Sequence, residues 1–73
     1  MTKLGEYLAS KSVNKSEVSR KTGISKARLS ELTTKPTARL QAGELYLVAL
    51  AIGADPGVLL EYVCGNFKKK VKS

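Results

Sequence analysis

The chain of 73 residues contains no histidine and a single cysteine, Cys64. Histidine is the commonest general base and, together with cysteine, a principal zinc ligand. The residues that usually form a general-base catalytic site or a zinc site are therefore lacking. The six acidic residues are scattered along the chain, and no glycine-rich loop is placed to cradle a phosphate group. We therefore expect no enzymatic activity, no metal site and no cofactor.

Long apolar runs are also missing. No stretch approaches the roughly 20 residues that a helix needs to span a bilayer, so we expect no membrane contact. The first residues, MTKLGEYL, lack the apolar region of a signal peptide. Cys64 cannot form an internal disulfide, which is typical of a reducing compartment, and its apolar surroundings predict a buried thiol. Together these features favour a cytoplasmic protein.

The length predicts one small domain. A chain of this size buries only about 60% of the surface that its unfolded form exposes, so its core is marginal and a partner subunit would stabilise it. The apolar content of 42% and the charged content of 26% are ordinary for a globular protein.

The net charge of +7 is concentrated in two segments. Residues 66–73 form a tail with four lysines. Residues 11–35 carry two acidic residues, Glu17 and Glu31, against seven basic ones: Lys11, Lys15, Arg20, Lys21, Lys26, Arg28 and Lys35. Such clustering is typical of a polyanion-binding protein. The alternative is a basic surface that only keeps the protein soluble.

Apolar periodicity and capping residues predict five helices and no strand, apart from a weak strand pattern in the tail. The predicted helices span about 3–11, 15–22, 26–33, 42–52 and 56–64. Four begin at polar caps, namely Thr2, Asn14, Ser25 and Asp55. Glu17 stands where it could complete a capping box with Asn14. The fold class is therefore all-α.

The second and third helices predict a helix-turn-helix unit at about residues 14–33. Two helices cross steeply only where the residue at the crossing is small and the turn accepts positive φ. Ser19 and Gly23 meet these two demands. Leu29 and Leu32 are assigned to the core. This geometry would present the third helix to the major groove of DNA.

Two stretches carry a family resemblance: NKSEVSRKTGISKARLSEL and, more weakly, LYLVALAIGADPGVLL. From about Leu4 to Leu60 the chain resembles the Cro/repressor-type helix-turn-helix transcriptional regulators, the XRE family. The resemblance implies a five-helix lambda-repressor-like DNA-binding domain over residues 1–65, a short basic tail over 66–73, and a prokaryotic or phage cytoplasm where the protein associates with the nucleoid through DNA. Residues 33–35 replace the Glu-Asn-Gly that usually closes the third helix, so we expect an unusual loop there.

In this kind of docking, residues near the N-terminus of the third helix meet base edges. The candidate base-reading residues are Ser25, Lys26, Ala27, Arg28 and Glu31. Lys26 and Arg28 can donate to guanine, Ala27 can contact a thymine methyl group, and Glu31 can accept from cytosine. The alternative for Arg28 and Glu31 is a surface ion pair at i, i+3.

Phosphate contacts are expected from two other places. The N-terminus of the second helix would offer free backbone amides at Lys15 and Ser16, together with the charge of Lys15. Lys35 and Arg39 lie in the loop after the third helix and could meet the DNA backbone. Such contacts set affinity and register but carry no sequence information.

The resemblance implies a repressor that binds a palindromic operator as a homodimer. Surplus apolar surface for the dimer is expected from the fourth and fifth helices: Leu47, Leu50, Leu59, Tyr62 and Val63. Singly exposed leucines are the simpler interpretation of Leu47 and Leu50. A bundle that has lost DNA binding is disfavoured by Lys26 and Arg28.

The alternative function is that of an antitoxin, which would bind a toxin protein and repress its own operon. The fourth helix or the tail could contact the toxin. For the tail itself three interpretations stay open: a flexible arm along DNA, a segment that packs on a neighbouring subunit through Phe67 and Val71, or a disordered end.

Overall fold

The computed structural model describes residues 1–70, without the side chains of Asn66 and Lys69, and the last three residues lie outside this range. The helices in it are α1 (Lys3–Ser10), α2 (Lys15–Thr22), α3 (Lys26–Thr34), α4 (Ala42–Ala51) and α5 (Pro56–Cys64). A 3₁₀ helix, Gly65–Lys70, follows α5 directly. Within residues 1–70 there is no strand, so the predicted all-α, five-helix class is confirmed.

The four predicted N-caps form, but the predicted capping box does not. Thr2, Asn14, Ser25 and Asp55 each accept a hydrogen bond from a backbone amide in the first turn of their helix. The capping box predicted for Glu17 is wrong, because its carboxylate accepts from the Arg20 guanidinium at 2.6 Å instead. A charged donor one turn ahead makes a stronger, charge-assisted bond than a backbone amide.

The turn between α2 and α3 has the predicted geometry. Gly23 ends α2 in the left-handed region at φ 79°, and its amide donates to the Ser19 carbonyl at 2.9 Å. The Ser19 hydroxyl donates to the Ile24 carbonyl at 2.6 Å, across the turn. Ser19 is therefore small enough for the crossing and also fixes the chain that enters α3.

The core is formed by the inner faces of all five helices. α1 packs on α3 and α5, while α4 packs on α2 and α5. The buried apolar side chains are Leu4, Leu8, Val18, Leu29, Leu32, Leu45, Val48, Ala49 and Leu59. The placement of Leu29 and Leu32 in the core is confirmed. The assignment of Leu59 to surplus surface is wrong, because the register of α5 points it inward, fully buried.

Gly5 allows α1 to lie directly against the end of α3. A Cβ atom at this position would overlap the Thr33 carbonyl oxygen and lie 2.7 Å from the Met1 side chain. The Thr33 carbonyl also accepts from the Thr2 amide at 3.0 Å, and the Thr2 hydroxyl donates to the Leu32 carbonyl at 2.7 Å. The start of α1 is thus joined to the last turn of α3 by backbone contacts that leave no room for a side chain.

We predict that Gly5→Ala lowers the free energy of unfolding by about 1–3 kcal/mol, because the Thr33 backbone must move to admit the methyl group. Gly43→Ala is the matched control, since Gly43 is also helical and nothing lies within 4 Å of its added Cβ. The control should be neutral or more stable, by up to about 1 kcal/mol. Urea denaturation measures both, and equal stability of the two variants would contradict the close approach.

Candidate nucleic-acid interface

α3 divides into a buried side and an exposed side. Leu29, Leu32 and Thr33 face the core. A continuous exposed stripe runs along the opposite side: Lys26, Ala27, Ser30, Glu31 and Thr34. These residues follow the i, i+1, i+4, i+5 spacing of one helical face. We call Lys26, Ala27, Ser30 and Glu31 the outer stripe of α3.

Three of the five candidate base-reading residues belong to the outer stripe, namely Lys26, Ala27 and Glu31. Ser25 lies before the helix, and its hydroxyl accepts from the Arg28 amide at 3.1 Å, so it already acts as a cap. Ser30 is a stripe residue that sequence reasoning missed. Its spacing of four from Lys26 was the available signal, because residues one turn apart share a helical face.

Arg28 is the exception among the candidates, because its side chain turns away from the outer stripe. Its Nε donates to Glu44 Oε2 at 2.9 Å, and its Nη2 donates to Glu44 Oε1 at 3.0 Å. The same Nη2 lies 2.6 Å from the Arg39 carbonyl oxygen. The partner of Arg28 is thus Glu44, sixteen residues along the chain, and not Glu31, the partner in the alternative interpretation.

The Arg28–Glu44 pair joins three elements. Arg28 lies in the first turn of α3, Glu44 in the first turn of α4, and Arg39 in the segment between them. Glu44 also accepts from the Gln41 amide at 3.0 Å, so one carboxylate caps α4 and holds α3. Of the two side chains, Glu44 is the less exposed, at 17% against 31% for Arg28.

The electrostatics of the pair follow from its hydrogen bonds. The Arg28 guanidinium bonds to the ionised form of Glu44 and holds the pKa of that carboxyl below its usual 4.5, with a smaller contribution from the Gln41 amide, while partial burial opposes the shift. The hydrogen bond to Glu44 raises the pKa of Arg28 in turn. Both groups therefore stay charged at neutral pH.

The candidate phosphate-binding residues lie on the surface, in two places. Lys15 and Ser16 are exposed in the first turn of α2. The expectation of a free amide at Ser16 is wrong, because that amide donates to Asn14 Oδ1 at 2.8 Å. This turn presents the side chains of Lys15 and Ser16 to solvent, beside the exposed Glu17.

The second place is the segment after α3. Lys35 is exposed and ends α3 in an extended conformation, at φ −100° and ψ 113°. Arg39 is exposed too, and only its carbonyl is engaged by Arg28. The segment therefore carries two cationic side chains on a backbone that is fixed to the start of α3.

A groove of about 570 Å³ opens beside the segment after α3, since Pro36 and Arg39 are part of its lining. Its lining includes Met1, Leu40, Val63, Cys64 and Phe67. Cys64 is half-buried there, so the expectation of a buried thiol is wrong.

The first part of the predicted tail is helical up to Lys70, with Lys68 paired to Glu61, whereas Val71 lies outside the described residues.

Comparison with protein families settles what kind of domain this is. Residues 3–65 match the Cro/C1-type HTH DNA-binding domain. The chain belongs to this family. The match covers most of the 73 residues and confirms the predicted XRE-type helix-turn-helix regulator. No match was found among the curated proteins or among the solved structures.

Membership makes the protein a DNA-binding regulator, and the family is not a class of enzymes. Over residues 1–70 the structure contains no helix that is long and apolar enough to cross a membrane. Among the same residues, no three of the cysteine, aspartate and glutamate side chains come together in a way that could hold a metal ion.

We predict that Glu44 makes the stability of the protein depend on acid pH. Because the pKa of Glu44 is lower in the folded than in the unfolded chain, its contribution is complete above about pH 4.5 and is lost as the pH falls through the lower, folded value. Between about pH 6 and pH 3, wild type should lose more free energy of unfolding than Glu44→Gln, which has no carboxylate to protonate at this position.

Urea denaturation across this pH range measures the effect. Glu6→Gln is the control, because Glu6 forms only an exposed ion pair with Lys3 at 3.7 Å. The control should follow the wild-type pH profile, as exposed pairs contribute about 0–1 kcal/mol. Parallel profiles for wild type and Glu44→Gln would rule out the pair as an acid-sensitive contact.

Proposed function

We propose that the protein is a sequence-specific transcriptional repressor that binds a palindromic operator as a homodimer and reads it with α3. The observation that carries this proposal is the outer stripe of α3, whose polar and small side chains point to solvent from a helix held by Leu29 and Leu32 in the core. A rigid helix with free donors along one side is what readout of base edges in the major groove requires.

Within this proposal the stripe residues have different roles. Lys26 donates to guanine O6 or N7, Ala27 contacts a thymine methyl group, and Glu31 accepts from cytosine N4. Ser25 and Ser30 add hydroxyl groups at the start and the middle of the contact. Lys15, Ser16, Lys35 and Arg39 bind phosphates on both sides of the groove, which fixes the register of the helix but not the sequence that it reads.

The homodimer is supported by the outer face of α4. Tyr46, Leu47 and Leu50 are 53%, 42% and 56% exposed, and their i, i+1, i+4 spacing puts them on one side of the helix. Val58, at the start of α5, is 57% exposed. Glu44 is the one charged residue of α4 and is bonded to Arg28, so two copies of this face can meet without repulsion between like charges.

The proposal places the protein in a prokaryotic or phage-infected cytoplasm, bound to the chromosome or plasmid that carries its operator. Two copies of α3 in such a dimer would lie about 34 Å apart, so that they reach successive major grooves on one side of the duplex. The selected site should therefore be two-fold symmetric.

We predict that Lys26→Ala and Lys15→Ala weaken DNA binding in different ways. Lys26→Ala should relax the preference at one or two base positions, with a loss of about 1–3 kcal/mol of discrimination. Lys15→Ala should weaken binding to every sequence alike and reduce the slope of log Kd against log salt by about 1.

Selection from a random duplex library, followed by titration of the winning and mismatched duplexes at several salt concentrations, measures both effects. Lys21→Ala serves as a control for the loss of one exposed positive charge outside both proposed contact sets. Sequence-independent binding by the wild type would contradict specific readout, and a selected motif without two-fold symmetry would contradict the dimer.

We predict that Leu50→Glu makes the protein monomeric at concentrations at which the wild type is dimeric. A carboxylate in the centre of an apolar interface is costly because it loses its hydration without gaining a partner. Ala9→Glu adds the same charge at an exposed position of α1 and should leave the dimer intact. Sedimentation equilibrium distinguishes the three proteins. A monomeric wild type would reject the homodimer and direct the search to a different protein, such as a toxin, for the same face.

A further inference from the structure

Arg28 stands at a position that looks suited to reading bases, yet its guanidinium is engaged elsewhere. Both of its nitrogens that face Glu44 are bonded to that carboxylate, and one of them also meets the Arg39 carbonyl. A bidentate contact with guanine O6 and N7 uses either the Nε/Nη2 edge or the Nη1/Nη2 edge of the guanidinium, and both edges include Nη2. Reading a guanine in this way would therefore cost Arg28 at least its two Nη2 contacts, with Glu44 Oε1 and with the Arg39 carbonyl.

The helical register explains why Arg28 lies outside the stripe. It is three residues before Glu31 and four before Leu32, between the exposed and the buried sides of α3. At this edge the side chain points along the protein surface towards α4. Glu44 is held in place to receive it, since its carboxylate is already fixed by the Gln41 amide at 3.0 Å.

On the basis of the proposed DNA-binding function, we propose that Arg28 is a positioning residue for DNA binding and not a base-reading one. Together with Glu44 it fastens residues 39–44 to the first turn of α3, and so sets where Lys35 and Arg39 meet the DNA backbone relative to the outer stripe. Sequence discrimination is left to Lys26, Ala27, Ser30 and Glu31.

Two features of the structure support this role. The segment between α3 and α4 has few other polar ties, because among its described backbone contacts only the Ala38 amide to the Lys35 carbonyl, at 3.0 Å, closes a turn within it. The bond from Arg28 to the Arg39 carbonyl is the one that connects the middle of this segment to the recognition helix. Loss of Arg28 would release the backbone that carries Arg39.

The test compares Arg28→Gln, Glu44→Gln and the double variant with wild type on the selected duplex and on all its single-base mismatches. If the Arg28–Glu44 pair positions the interface, each single variant should bind every duplex about threefold to tenfold more weakly. The ranking of the duplexes by affinity should stay unchanged. The double variant should bind no more weakly than the weaker single one, because both changes remove the same contact.

The result for Glu44→Gln is the most discriminating one. Removing an acidic residue from a protein that binds a polyanion should, by charge alone, tighten binding. Glu6→Gln, which removes a carboxylate from an exposed position on α1, should show only that effect. Weaker binding by Glu44→Gln together with unchanged or tighter binding by Glu6→Gln is expected only if the pair positions the interface.

Three results would overturn the proposal. Flattened selectivity at one base pair for Arg28→Gln, with Glu44→Gln behaving like Glu6→Gln, would make Arg28 a base reader. Unchanged binding by both variants, in conditions where circular dichroism shows them folded, would make the pair irrelevant to DNA. If the losses in binding free energy of the two single variants add up in the double variant, the two residues act separately.

If the variants do not fold, a spectroscopic measurement on the wild type tests the proposal instead. The Arg28 Nε–H resonance of the wild type should be protected from solvent exchange in the free protein and keep its chemical shift in the DNA complex. A large shift on addition of DNA would show that the guanidinium leaves Glu44. If wild type selects no sequence at all, the proposed function fails, whereas a protected Nε–H would still establish the pair as a tether.

Discussion

The burial of one side of α3 is the constraint on which the interface depends. Leu29 is fully buried, and Thr33 is buried with its hydroxyl donating to the Leu29 and Ser30 carbonyls at 2.9 and 3.1 Å. Because burial of this side fixes the rotation of α3 about its axis, it also fixes which side chains lie on the exposed side. The apolar contacts of α3 therefore decide which side chains can meet a base, although none of them would contact DNA.

Polar contacts then fix the elements around α3, because apolar burial is not directional. The Thr33 carbonyl and the absence of a side chain at Gly5 bring α1 onto the end of the helix. Arg28 and Glu44 hold the segment before α4 at its beginning. α3 ends at Lys35 in an extended conformation. The backbone hydrogen bond between Thr2 and Thr33 thus fixes the end of the recognition helix, and the Arg28–Glu44 ion pair fixes its start.

Local signals carried most of the fold prediction. Caps such as Asn14 and Asp55, and the left-handed Gly23, act within one turn of the chain, so they can be recognised without knowledge of the rest of the molecule. The assignment of Leu59 to the surface was wrong for the opposite reason. α5 is apolar on several sides, and only packing against the other helices decides which side is buried.

What the amino-acid sequence determined by itself was the order of five helices, the turn at Gly23 and the basic character of α2 and α3, because each depends on residues close together in the chain. Tertiary structure alone decided that Arg28 meets Glu44 and that Tyr46 faces solvent. The first of these contacts joins residues sixteen positions apart. Such a pairing depends on how α3 and α4 are oriented in space, and no local pattern specifies that orientation.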